Sequence, residues 1–196
     1  MSNFPFNKLK DKKTIAVNVS ALDVSNPTFS ITADSGMFQK LQTGYFKSVK
    51  TTWVVVTNPE HCTMKWRNGK FTNIKDGFVY NLFCAHMIIR NAGVESIGFS
   101  FNDFRTGYNS GFCAFQLAVL LGYEKIYLLG FDMQGGYYHS KYGNKEISSG
   151  TFKKFYDNFI LALRILKDKT DIQVVSCSSV SRLNAFIPYK PFEEIC

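Results

Sequence analysis

Residues 109–131 constrain the fold more than any other part of this 196-residue chain. Residues 109–121 are apolar on nearly every side, which is typical of a helix enclosed by a core. Gly122 follows at the position where glycine commonly ends a helix. Residues 125–131 form a short apolar run that predicts a strand. A buried helix that leads directly into a buried strand indicates an α/β protein.

The same alternation extends through most of the chain. Short runs rich in β-branched residues predict strands, and amphipathic patterns predict helices. The further predicted strands are 14–19, 28–33, 53–57, 94–99 and 172–177, and the further predicted helices are 35–47, 80–91 and 152–167. Asn68-Gly69 predicts the turn of a hairpin within 64–71. We therefore expect an α/β fold over residues 1–196, a single three-layer, Rossmann-like sandwich with a mostly parallel sheet and a basic arm at 1–13.

Composition excludes several classes of protein. The chain is 45% apolar, so it can bury a core and is not globally disordered. No apolar run approaches the ~20 residues of a membrane span, and the N-terminus lacks the apolar stretch of a secretory signal. Five scattered cysteines without a CxxC pair indicate free thiols in the cytoplasm. The net charge of +8 fits simple solubility or an anionic partner such as a nucleotide or DNA.

Ligands of parallel α/β sheets bind beyond the carboxyl ends of the strands, so the polar residues at those positions are candidates. They are Asn18, Asp34, Ser35, Asn109, Ser110, Gly111, Asp132, Gln134, Tyr137, Tyr138 and His139. Asn109 or Ser110 could simply cap the following helix, whose first N–H groups would also attract an anion. Asp132, which follows a buried strand, is a candidate catalytic residue, or else a cap or turn residue.

Among the three histidines, His139 is the best candidate for a general base, because it lies in a flexible, tyrosine-rich loop. His86 is expected to be a core residue of the helix predicted at 80–91. No grouping of His, Asp and Glu has metal-ligand spacing, so we expect no metal. The absence of GxxxxGK[ST] and GxGxxG argues against a P-loop ATPase and an ordinary dinucleotide enzyme. No GxSxG elbow occurs either.

Residues 110–134, SGFCAFQLAVLLGYEKIYLLGFDMQ, resemble the central motif of the bacterial sialyltransferases of glycosyltransferase family 42. That motif is a Ser-Gly helix, an LGYKEIYL-type strand and Gly-x-Asp, and it also occurs in motility accessory factors and archaeal hydroxymethylpterin diphosphokinases. The chain is most similar to small phage-borne proteins of this superfamily. The matching segments are 9–18, 33–34, 109–111, 128–133, 139 and 181–188, so the resemblance spans nearly the whole chain.

The resemblance implies a metal-independent nucleotide-sugar site that needs no cofactor. By position, the nucleotide or its sugar would contact Asn18, Asp34 or Ser35, the Asn109-Ser110-Gly111 segment and Asp132. Gln134 replaces the first family tyrosine that binds the leaving phosphate, and Tyr137 or Tyr138 would act as the second. The family's GxGPS-type phosphate loop would precede the first residue, so we expect either altered phosphate binding or impaired catalysis.

These observations predict a glycosyltransferase-like protein that transfers sugar from a nucleotide-sugar to a hydroxyl of a glycan or modified DNA. One alternative is a non-catalytic nucleotide- or nucleic-acid-binding protein of phage origin. Another is diphosphate transfer or nucleotide-sugar hydrolysis on the same fold. If a phage encodes the chain, it would act in the host cytoplasm. Phe4, Phe6, Tyr189 and Phe192 would pack on the domain itself or on a second copy in a homo-oligomer.

Overall fold

The computed structural model describes residues 4–57, 64–67, 70–73, 79–80, 87–134 and 149–195. These residues form a mixed α/β structure with few helices. The strands are β1 (Ile15–Val17), β2 (Phe29–Thr32), β3 (Thr52–Thr57), β4 (Met64–Arg67), β5 (Lys70–Asn73), β6 (Val79–Tyr80), β7 (Met87–Arg90), β8 (Lys125–Leu128) and β9 (Gln173–Ser176). The helices are α1 (Ser35–Gln42), α2 (Ser110–Leu120) and α3 (Ser149–Lys169).

Parallel pairing dominates the sheets. Four strands form one parallel sheet in the order β1-β2-β3-β7, with Ile15 opposite Phe29 and Ile31 opposite Val54. β8 and β9 form a separate parallel pair, and β4, β5 and β6 form a small antiparallel sheet. Because parallel strands end at the same edge, the segments after β1 and β2 emerge together at the carboxyl edge of the four-stranded sheet.

Apolar side chains cover β3 on both faces. Trp53 and Val55 pack in one cluster with apolar residues of α1, whereas Val54 and Val56 pack in another with residues of α2. This two-sided burial explains why the sequence of β3 is apolar without alternation. A third cluster joins α2 and α3 to β8 and β9.

The two strongest helix predictions are confirmed. The residues of α2 from Phe112 to Val119 are all buried, as its nearly uniform apolar sequence requires. α3 is amphipathic, with Phe159, Leu163 and Leu166 buried while Arg164 remains exposed. Gly122 has a φ of 76°, the left-handed conformation that ends a helix at a glycine.

The helix predicted at 80–91 is wrong where the structure describes it. Residues 79–80 and 87–90 are strands, and 81–86, which include His86, lie outside the described residues. In β7, Ile88 and Ile89 pair with Val55 and Val56 of β3. Pairing at the edge of the main sheet therefore outweighs the local helical pattern, which contains β-branched residues suited to a strand.

The strand predicted at 94–99 is also wrong. Ser96 has a φ of 70°, outside the extended region. Gly98 approaches a neighbouring turn so closely that an added Cβ would lie 1.5 Å from the carbonyl oxygen of Asp103. The backbone there folds on itself instead of running along a sheet. By contrast, the strand pairing of the hairpin predicted at 64–71 is confirmed, since Arg67 pairs antiparallel with Lys70. Its predicted turn, Asn68-Gly69, lies outside the described residues.

The N-terminal segment packs on the domain itself. The centres of the Phe4 and Phe192 rings are 4.5 Å apart. Leu9 is buried in the cluster that contains the apolar residues of α1. Phe6 packs against the same cluster, whereas Tyr189 is exposed. In the described ranges, no helix combines the length and apolar character needed to cross a membrane.

Candidate functional site

The N-terminus of α2 joins two other segments at the carboxyl edge of the sheet. The backbone N–H of Ala33, directly after β2, donates to Ser110 Oγ at 3.0 Å. A Cβ added at Gly111 would lie 3.3 Å from Cε1 of Phe131, in the segment after β8. Ser110 and Gly111 therefore sit where the ends of β2 and β8 converge. Glycine at 111 permits close contact with the Phe131 ring.

Two predicted ligand contacts are helix caps. Asp34 Oδ1 accepts hydrogen bonds from the N–H groups of Gly36 (2.8 Å) and Met37 (3.3 Å), so Asp34 caps α1. Asn109 Oδ1 accepts from the N–H of Phe112 at 2.8 Å and caps α2, and its Nδ2 donates to a backbone carbonyl. Both side chains satisfy the free N–H groups of a helix start. Ser35 begins α1, and nothing is described of its side chain.

Asn18 lies in a sharp turn at the end of β1. Its φ of 52° is left-handed, a conformation that asparagine tolerates better than most residues. Ser20 closes the turn, since its hydroxyl donates to the carbonyl of Val17 and accepts from the N–H of Val17, both at 2.8 Å. Asn18 Oδ1 is buried and makes no hydrogen bond within the described part of the chain.

Asp132 lies in an irregular segment after β8. Gly130 and Met133 on either side of it have φ values of 75° and 58°. Met133 is buried, so an L-residue keeps an unfavourable backbone conformation inside the fold. Asp132 Oδ1 is buried and, like Asn18 Oδ1, has no hydrogen-bond partner among the described residues.

The segment after β9 runs beside Asp132. Ser181 Oγ donates to the carbonyl of Phe131 at 2.6 Å, and the N–H of Arg182 donates to the carbonyl of Asp132 at 3.1 Å. Gln134 Nε2 donates to the carbonyl of Val180 at 2.7 Å. Gln134 thus holds two segments together, a structural contact at a position predicted to bind ligand.

Sequence reasoning missed an aromatic and cationic cluster beside this segment. The guanidinium carbon of Arg182 lies 4.3 Å from the centre of the Tyr156 ring. The centres of the Tyr156 and Phe186 rings are 6.2 Å apart, and the two rings meet edge to face. Tyr156 lies on α3, in the half nearer the carboxyl ends of the strands. Residues 181–188 belong to the motif that carries the family resemblance, but nothing in the spacing of the sequence predicts that this segment contacts α3.

Two buried amides that the sequence analysis did not single out hold the segment leading to α2. Gln116 Oε1 accepts from the N–H groups of Gly98 (3.2 Å) and Arg105 (3.3 Å). Asn158 Oδ1 accepts from the N–H of Ser96 at 2.7 Å. The sequence does indicate these two residues, because each amide interrupts an otherwise apolar stripe of its helix. These contacts fix residues 96–105 and so position the start of α2.

The Cys113 thiol is structural. It is buried in α2, and Sγ donates a weak hydrogen bond to the carbonyl of Thr106 at 3.7 Å. Burial raises the pKa of Cys113, because the thiolate would lose its hydration. A thiol that stays protonated at neutral pH is a poor nucleophile.

The charged cavity of the described structure lies elsewhere. It has a volume of about 530 Å³ and is lined by Glu124, Lys125, Asp171, Ile172 and Gln173, at the amino ends of β8 and β9. It is therefore at the opposite end of these strands from Asp132. The described ranges contain no group of three His, Cys, Asp or Glu residues that could hold a metal. Tyr137, Tyr138 and His139 lie outside the described residues.

Comparison with models of protein families, with curated proteins and with solved structures finds no match to this chain. The resemblance to glycosyltransferase family 42 therefore stays a prediction from the motif residues. The candidate site rests on the geometry at Asn18, Ser110 and Asp132.

Proposed function

We propose that the chain is a glycosyltransferase-like protein that binds a nucleotide-sugar at the carboxyl ends of β1, β2 and β8. Two buried oxygens, Asn18 Oδ1 and Asp132 Oδ1, carry the proposal, since neither has a hydrogen-bond partner among the described residues. An unsatisfied buried polar group costs about 1–3 kcal/mol, so it calls for an explanation, and at the carboxyl ends of strands a bound ligand supplies one. Ribose hydroxyls, sugar hydroxyls and the amino groups of bases are donors that suit these two acceptors.

A Rossmann-like arrangement would bring the two acceptors together. Ile15 of β1 packs against the cluster that contains Ile126 and Leu128 of β8, and Leu129 packs against the cluster that contains Ala16. We infer that β8 and β9 continue the sheet beside β1. The sheet would then be the middle layer, with a layer of helices on each of its faces. The strand order would then reverse between β1 and β8, which is where such sheets bind ligands.

The proposed reaction is sugar transfer without a metal. Asn18 and Asp132 would hold the donor through its hydroxyl or amino groups. The acceptor oxygen would attack the anomeric carbon while His139 takes its proton. The bond from sugar to phosphate would break, and its electron pair would leave with the nucleotide phosphate, stabilised by Tyr137 or Tyr138. The roles of His139 and the tyrosines rest on the family resemblance.

A second candidate is a nucleotide- or nucleic-acid-binding protein without catalysis. The observation that favours it is the structural use of Asp34, Asn109 and Ser110, each of which bonds to the backbone. Fewer polar groups then remain to act on a substrate. The net charge of +8 would suit an anionic partner such as DNA in either case.

Thermal unfolding with CMP-, UDP- and GDP-sugars, each with and without EDTA, tests binding. A ligand at ~100 times its dissociation constant adds about 2.7 kcal/mol, which raises the Tm of a domain this size by about 5–10 °C. We expect one donor class to give this shift, and EDTA to leave it unchanged. No shift with any of these donors would contradict the proposal.

Turnover of the selected donor then tests catalysis. His139→Ala and Asp132→Ala should each lower turnover by about 10²-fold or more. Asp168→Ala is the matched control, because Asp168 is exposed in the last turn of α3, at the other end of the strands. Donor binding with no turnover in the unaltered chain would favour the non-catalytic candidate. Turnover that EDTA abolishes would favour metal-dependent diphosphate transfer.

A further inference from the structure

The backbone around Arg182 is tied to the candidate site. The N–H of Arg182 donates to the carbonyl of Asp132 at 3.1 Å, and the preceding hydroxyl of Ser181 donates to the carbonyl of Phe131 at 2.6 Å. Ser181 Oγ also accepts from the N–H of Leu183 at 3.2 Å and caps the short 3₁₀ helix Arg182–Ala185. The backbone of Arg182 is therefore anchored next to Asp132.

The guanidinium of Arg182 lies over an aromatic ring. Its guanidinium carbon lies 4.3 Å from the centre of Tyr156, and Tyr156 is itself supported edge-on by Phe186. The positive charge is attracted to the ring, and within the described residues no group accepts a hydrogen bond from the guanidinium N–H groups. Within the described part of the chain, no carboxylate lies within ion-pair distance of Arg182, which is exposed.

A guanidinium that lies over a ring and has no hydrogen-bond acceptor among the described residues can donate to a phosphate. Arginine donates two parallel hydrogen bonds to two phosphate oxygens, and contact with the ring reduces the freedom lost on binding. A cation near Asp132 would offset the repulsion between its carboxylate and the phosphate of a bound nucleotide. Arg182 is the cation whose backbone bonds to Asp132. Phe186, 47% exposed, adds an apolar edge beside the same position.

We propose that Arg182, whose guanidinium lies over the Tyr156 ring, binds a phosphate group of the nucleotide that the candidate site takes up. This inference rests on the proposed function, since it names the group that contacts the phosphate of that ligand. It adds a specificity element that the strand-end residues lack. Asn18 and Asp132 offer acceptors to hydroxyl or amino groups, whereas Arg182 selects the phosphorylated form.

The test compares nucleotides with their nucleosides in binding titrations. The probes are CMP, UDP and GDP, with cytidine, uridine and guanosine as partners. For at least one pair, we expect the unaltered chain to bind the nucleotide at least tenfold more tightly than the nucleoside. Arg182→Gln should weaken nucleotide binding about 10- to 100-fold and leave nucleoside binding unchanged. Tyr156→Leu should give a smaller loss, because the charge remains but is no longer held in place.

Arg164→Gln is the matched control, because this substitution removes the same charge. Arg164 is exposed on α3, about two turns beyond Tyr156. It should keep the full preference for the nucleotide. Arg182→Gln should also keep the Tm of the unaltered chain, because its backbone bond to Asp132 is retained.

Three results would overturn the role of Arg182 alone. In the first, Arg182→Gln binds nucleotides as tightly as the unaltered chain. In the second, the unaltered chain binds a nucleotide and its nucleoside equally. In the third, Arg164→Gln loses the preference as well, which would indicate a general effect of charge. Failure of the unaltered chain to bind any of the six probes would overturn this inference, and if the nucleotide-sugars also give no shift in Tm, the proposed function is overturned as well.

Discussion

Replacement of Gln116 by methionine should loosen the segment that leads into α2. Gln116 is fully buried, and its Oε1 accepts the N–H groups of Gly98 and Arg105 at 3.2 and 3.3 Å. Methionine has nearly the same volume, so Gln116→Met removes the acceptor without leaving a large cavity. The two N–H groups then lose their partner, one of them in a wholly buried position.

The expected loss of stability follows from these contacts. A buried N–H without an acceptor costs about 1–3 kcal/mol, and the less buried N–H of Arg105 adds less. Part of this cost is offset, because Gln116 Nε2 itself has no partner among the described residues and is removed by the change. The net decrease in the free energy of unfolding should be about 2 kcal/mol. For a domain of this size, that lowers the Tm by about 4–8 °C.

Calorimetry and amide hydrogen exchange together test this reasoning. Exchange should accelerate at Gly98 and Arg105 more than in the core of β3. Gln173→Met is the control, because Gln173 is exposed at the start of β9 and the same chemical change should move the Tm by less than about 2 °C. Equal Tm values for the two variants would refute the argument. So would unchanged exchange at both amides.

Two other residues at or next to the start of α2 give further predictions. Ser110→Ala leaves the N–H of Ala33 without its acceptor and should lower the free energy of unfolding by about 1–3 kcal/mol in urea titrations. Ser179 is exposed, so the control Ser179→Ala should change the free energy of unfolding by less than about 0.5 kcal/mol. Burial raises the pKa of Cys113 above that of the unfolded thiol, about 8.5, so its stabilising effect is complete below that pH and is lost as the pH rises. Between pH 8 and 9.5 the unaltered chain should therefore lose about 1 kcal/mol more stability than Cys113→Ala, and equal losses in urea titrations across that range would contradict the assignment.

Elements with strong patterns were predictable from the sequence, because one physical cause dominated each. α2 is apolar all round and has a capping asparagine before it and a glycine after it, so burial and capping agree. β3 is apolar without alternation, and both of its faces are covered. β7 was mispredicted because its four residues fit either a helix or a strand locally. Only the pairing of Ile88 and Ile89 with β3, contributed by a distant part of the chain, decides between them.

The positions of the candidate residues at strand ends and helix starts were predictable from the same alternation, but their hydrogen-bond partners were not. Sequence places Asp34, Asn109 and Asp132 alike, each at a strand end or before a helix. The donors within reach distinguish them. Asp34 and Asn109 face the N–H groups of a helix start, and their oxygens accept from them. Which donors a carboxylate meets depends on backbone direction after the strand, and the sequence pattern does not encode that direction.

Asp132 differs because the backbone turns away from it. Gly130 and Met133 have left-handed φ values, and neither residue 133 nor residue 134, the two described residues after Asp132, is helical. The segment after β9 supplies one donor, the N–H of Arg182, but that donor bonds to the carbonyl of Asp132 and not to its side chain. The fold thus uses hydrogen bonds to fix the main chain at this position, and keeps a buried Met133 in an unfavourable conformation next to it. The unfavourable backbone conformation of Met133 costs energy, and Asp132 Oδ1 makes no hydrogen bond to the described residues around it. This combination is expected where a side-chain oxygen contacts a ligand.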